Sequence, residues 1–138
     1  MRQRVAEEFG AGQPFRAKCA YGGLIELTFL ANQLVLAYSA QHPGLLQRSN
    51  IAIFEMAGNL GLLKQSEATT LCDAERFQQQ LLTLIRLTER DIAGETISES
   101  LQHLLCRQFK MQQFEEVKNF LMQYQEDAHR IFTRYTLK

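Results

Sequence analysis

At 138 residues the chain can bury one sizeable core and fits one domain spanning residues 1–138. Its 46% hydrophobic and 22% charged content is that of an ordinary globular protein, which sets aside disordered and fibrous classes. Fifteen basic residues balance fifteen acidic ones, so no overall field draws the chain to nucleic acid or to a membrane, and no apolar run approaches the roughly 20 residues that span a bilayer.

The opening MRQRVAEEFG alternates charges and lacks the apolar centre of a signal peptide, so a cytoplasmic location is expected. A helix is expected from Met1 to about Phe9, ended by Gly10 and Gly12, and residues Gly10 to Gly22 read as a loop. The stretch GGLIELTFLANQLVLAY then reads as a helix from Gly23 to about Gln41, stopped by Pro43. It is apolar nearly all round, as a helix in the middle of a bundle must be.

A third helix is expected over Asn50 to Leu60, capped by Ser49 or Asn50 and ended by Gly61 in the left-handed conformation. A fourth follows Ser66, a second cap candidate, to about Arg90, with Ala74, Phe77, Leu81 and Leu84 as its stripe. Thr96 and Glu99 match a capping box, which predicts a fifth helix from Ile97 to about Gln108. In the last segment, about Gln113 to Tyr135, Phe114, Val117, Leu121, Tyr124, Ala128, Ile131 and Tyr135 recur at alternating spacings of three and four. That seam serves a bundle or a coiled-coil dimer, and five other amphipathic segments in need of partners favour the bundle. β-branched residues nowhere alternate with polar ones over a strand's length. The fold class is therefore all-α, a helical bundle of about five to six helices.

Little here carries chemistry. Asp73, Asp91 and Asp127 are never paired, so no Asp-x-Asp holds magnesium. His42, His103 and His129 stand apart from one another, without zinc-ligand spacing. The three cysteines, Cys19, Cys72 and Cys106, are widely spaced and odd in number, and read as core or half-buried thiols of a reducing compartment. No catalytic residue, metal site or cofactor is expected in this chain. His129 reads as a surface or interhelical residue, and Glu115–Glu116 as a solvated face.

One constellation remains. Gly22 and Gly23 open the apolar helix, Glu26 sits in its first turn, and Lys18 lies just upstream. Unpaired amides at a helix start carry partial positive charge, and glycines there admit close approach by a backbone or a phosphate. Alternatively, the glycines only make a turn and Glu26 only complements the helix dipole.

The order of landmarks resembles the C-terminal helical domain of bacterial glutamine-synthetase adenylyltransferase. In that family a Met-Arg helix precedes a loop with an aromatic and a lysine. Gly-Gly-Leu-x-Asp-x-Glu-Phe then opens a long apolar helix, followed by a His-Pro stop and an Asn-initiated helix. Here the matching residues are MRQRV, Phe15 and Lys18, GGLIELTF from Gly22, QHPGLL from Gln41, Asn50, LGLLKQSEA from Leu60 and DAERFQQQL from Asp73. The family aspartate is Glu26, the following glutamate is Thr28, and Phe15–Arg16 replace a Trp-Asp pair.

The resemblance implies an accessory domain excised from a larger nucleotidyltransferase, packing on an upstream catalytic domain that carries the Gly-Ser and paired-aspartate signature. The full-length enzyme uses ATP and Mg2+ to add AMP to glutamine synthetase, removes it again, and answers to a PII-type signal protein in nitrogen regulation. It further implies that Lys18, Gly22, Gly23 and Glu26 face the catalytic neighbour or its nucleotide. No nucleic-acid or membrane partner is implied. A stand-alone helical interaction module without nucleotide chemistry is the competing expectation.

Overall fold

The computed structural model describes residues 20–88 and 99–136. They form helices α1 (Leu24–Tyr38), α2 (Asn50–Asn59), α3 (Gln65–Thr88), α4 (Glu99–Gln108) and α5 (Phe114–Thr136), with a short 3-10 turn at Pro43–Leu45 after α1. No strand occurs among the described residues. The all-α bundle expected from the periodicity is the fold. The helix expected over Met1 to Phe9, and the cap and start expected at Thr96 and Ile97, lie outside the described residues.

The local chemistry of the helix ends follows the sequence with two exceptions. Ser49 is the cap of α2, its Oγ accepting the Ala52 N–H at 3.1 Å. Gly61 closes that helix at φ +78°, while the Leu62 N–H returns to the Ala57 carbonyl at 2.9 Å. α1 stops at Tyr38, earlier than the expected Gln41. The residue before a proline is driven out of the helical region, and His42 sits at φ −133°, ψ 78°. Ser66 is the second exception. α3 begins at Gln65, so Ser66 lies in its first turn and caps nothing. Glu67 supplies the polar closure instead, its Oε1 accepting the Lys64 N–H at 3.1 Å.

Two apolar clusters make the core. The larger joins α1, α2, the first half of α3 and the last half of α5, around Leu27, Leu30, Phe54, Leu71, Ala128 and Ile131. The smaller joins the second half of α3, α4 and the first half of α5, around Leu81, Leu101, Leu105, Val117 and Leu121. The seam of the last helix is thus taken up inside the bundle, and the same is true of Ala74 and Leu81 on α3. Glu67 ties the far ends together: Arg134 donates to its Oε2 at 2.7 Å and Tyr135 to its Oε1 at 2.8 Å. Cys72 is buried in the larger cluster, and that burial pushes its thiol up to about 11, as suits an inert core residue.

Candidate functional site at the double-glycine loop

Gly23 is the N-cap of α1 and has no side chain with which to cap it. Glu26, at the third helical position, reaches back instead, and its Oε1 accepts the Gly22 N–H at 2.7 Å. This is the returning half of a capping box, shifted one residue outward. The carboxylate is at once a helix-end charge and a cross-link. His129 Nδ1, on α5, lies 2.8 Å from the same oxygen. A carboxylate oxygen only accepts, so Nδ1 carries the proton in this contact. The Glu26 side chain is fully buried, whereas that of His129 is 39% exposed between Tyr21 and Phe132. His129, expected at the surface or between helices, is half-exposed and links α5 to the head of α1.

Gly22 has to be glycine for two reasons. Its φ is +75°, and a Cβ there would lie 1.8 Å from the Gln125 carbonyl oxygen. The loop backbone therefore lies directly on the backbone of α5. A pair of buried glutamines completes the contact. Gln78 on α3 donates to the Gly22 carbonyl at 2.9 Å, and Gln125 donates to Gln78 Oε1 at 3.0 Å. These two amides occupy the level between the two apolar clusters, where Ala74 and Leu81 flank Gln78 and Leu121 and Ala128 flank Gln125.

The structure brings Gly22, Gly23 and Glu26 together at the head of α1; Lys18 lies outside the described residues. All three are buried within the bundle, with Glu26 turned toward α5. Their partners Gln78, Gln125 and His129 were not singled out from the sequence as belonging to this loop. The available signal was a glutamine standing at a core position of each of two amphipathic helices.

Another buried acid, Glu75, sits on α3 against the start of α2. Asn50, the first residue of α2, donates to Thr28 Oγ1 at 2.9 Å and to Glu75 Oε1 at 2.6 Å. Glu75 is 2% exposed and its Oε2 has no hydrogen-bond partner. Burial pushes its carboxyl above the usual range, against the opposing pull of the Asn50 and Gln79 amides. A carboxyl raised on folding favours the native state fully below its unfolded pKa and loses that contribution as pH rises through the folded value. Wild-type stability, measured by chemical denaturation against a Glu75→Gln variant, should therefore rise as pH falls from neutral into mild acid. A flat difference would mean that Glu75 is not held in a charge-hostile site.

Among the described residues no group of three potential ligands could hold a metal ion, and no helix is long and apolar enough to cross a membrane. The family model described as GlnD PII-uridylyltransferase matches residues 1–135. The chain is 34% identical, over 97% of its length, to a bifunctional glutamine synthetase adenylyltransferase/adenylyl-removing enzyme of Xanthobacter autotrophicus, of which it spans 14%. Proteins of the same description from Bradyrhizobium diazoefficiens and Rhodopseudomonas palustris are each 31% identical, over 96% and 97% of the chain, which spans 13% and 14% of them. The likeness to glutamine-synthetase adenylyltransferases read from the landmarks is borne out, and the chain covers about one-seventh of those relatives.

Proposed function

Because the chain belongs to the GlnD PII-uridylyltransferase family, we propose that it is the accessory helical domain of a glutamine-synthetase adenylyltransferase, an enzyme that adds and removes AMP on glutamine synthetase. The observation that carries this reading is the alignment of nearly the whole chain with relatives bearing that description. The family description names uridylyl transfer, and the relatives favour the adenylyl reaction. In this reading the bundle packs on an upstream nucleotidyltransferase domain in the cytoplasm. The catalytic acids, ATP and Mg2+ belong to that neighbour, and a PII-type protein governs the balance of the two reactions in nitrogen metabolism.

The residues of the glycine loop act there through shape. Glu26, His129 and Gln78 hold Gly22 and Gly23 in one conformation against α5. Lys18 then meets the neighbour or its nucleotide, with the buried Gly22, Gly23 and Glu26 as the positioning groups behind it. Glu26→Ala would disturb the bundle itself, since Gly22 and His129 would both lose an acceptor. Lys18→Ala leaves Glu26 in place as the acceptor of Gly22 and the partner of His129.

The decisive measurement is AMP transfer to glutamine synthetase by the nucleotidyltransferase domain with and without this domain attached. Loss of the bundle should lower the rate at least about tenfold, and Lys18→Ala should lower it several-fold, as expected where positioning contacts are removed. Equal rates with and without the bundle would favour an interaction module without nucleotide chemistry.

A further inference from the structure

The outward face of α1 carries no charge. Its single ionisable acid, Glu26, is buried, and its exposed positions include Thr28, Phe29, Asn32, Gln33 and Leu36. Phe29 is 59% exposed and Leu36 82% exposed. Two other exposed apolar side chains sit differently. Phe120 lies on a helix whose exposed positions include Glu115, Glu116 and Arg130, and Leu46 is two residues from exposed Arg48. Depletion of charge around exposed aromatic and aliphatic groups is the composition of the centre of a protein interface.

Beside this face runs a groove of about 350 Å3 between α1 and the far half of α3, lined by Leu24, Ile25, Phe29 and Leu82 among others. Among the described residues Arg86 is the one charged side chain lining it, and it pairs with no acid there. Among the described residues the groove therefore offers an apolar floor and a single cation.

We infer that this face of α1, with the groove beside it, is where the bundle docks on a nucleotidyltransferase domain, through an apolar contact centred on Phe29 and Leu36 and an acidic side chain of the partner on Arg86. The inference rests on the function proposed above and adds the surface. The occupant follows from proportion and chemistry. Relatives of this chain are about seven times its length, so their polypeptides hold ample structure to cover the face. The lone cation selects a partner surface with an acid at the edge of an apolar patch. Two copies of this chain would instead set Arg86 against an uncharged face.

Placing the photocrosslinking residue benzoylphenylalanine at Leu36, in the protein expressed in its source organism, tests this directly. The expected product is a crosslink to a nucleotidyltransferase domain, whether in the same polypeptide or a separate one. A crosslink to a second copy or to residues 1–19, or none, would overturn the inference. In the AMP-transfer assay, Leu36→Asp should lower the rate about tenfold, the effect of losing one interface anchor. Its thermal midpoint should stay at the wild-type value, because this side chain is solvated in the bundle. Arg86→Glu should weaken transfer in the same way. If removing the whole bundle changes nothing, the proposed function fails. If removal lowers the rate but Leu36→Asp and Arg86→Glu do not, the function stands and the docking face is wrong.

Discussion

Gly22→Ala should be the most damaging single-methyl change in the described bundle. The new Cβ would fall 1.8 Å from the Gln125 carbonyl oxygen and 2.7 Å from its Cα, and neither α5 nor the loop can yield without breaking contacts of its own. Backbone atoms do not rotate aside as a flexible side chain would. The residue must also hold φ +75°, where alanine is strained. Strain and overpacking each cost on the order of 1–3 kcal/mol, so a loss of about 3 kcal/mol or more is expected. For a domain of this size that is a fall of about 10 °C in thermal midpoint, readable by circular dichroism. Gly61→Ala is the internal control. Its φ of +78° imposes the same backbone strain, yet no atom lies within 4 Å of the added Cβ. It should cost only the conformational part, about 1 kcal/mol. Equal losses at the two positions would show that the loop does not lie on α5 as described.

The second large effect is expected at Gln78. Substitution by methionine nearly keeps the side chain's volume while removing both of its hydrogen-bonding roles. The Gly22 carbonyl would lose its buried donor and the Gln125 amide would lose its buried acceptor. Leaving the Gly22 carbonyl unsatisfied costs about 1–3 kcal/mol, to which loss of the Gln78–Gln125 bond adds, against a small gain from a more apolar side chain. A net loss of about 2–3 kcal/mol is expected in denaturant unfolding, with the slope of the transition unchanged. Amide exchange supplies the second readout. Protection at Gly22 and Gly23 should fall more than at Phe54 or Leu71, because the defect lies at the loop and the larger cluster is left intact. A gain of stability would mean that the glutamine layer is dispensable to the fold.

The same residue shows where pattern reading ends. Gln78 and Gln125 look from the sequence like polar interruptions on two otherwise apolar stripes. Each is a core residue because the other lies opposite it, and no local rule pairs positions 47 residues apart. Helix ends were legible where the capping residue is a neighbour in sequence, as with Ser49 at the start of α2 and Gly61 at its close. Ser66 misled because the first turn of α3 is closed by Glu67, which also answers to Arg134 and Tyr135 at the far end of the chain.

The all-α class and the approximate span of each described helix were determined by the sequence alone; the last helix's seam served a bundle or a dimer equally until the packing placed it inside the bundle. Apolar spacing, glycines and prolines act over a few residues and leave few alternatives. The relation of the double glycine to Glu26 was half legible, since an acid in a first turn stabilises a helix end wherever that helix lies. Only the tertiary structure decided that this carboxylate is buried against His129, that the Gly22 backbone meets the backbone of α5, and that α1 is left with an uncharged outer face. Those outcomes depend on how helices distant in sequence are set side by side. Burial and pairing are properties of the packed assembly, and the residues involved carry no mark of them in isolation.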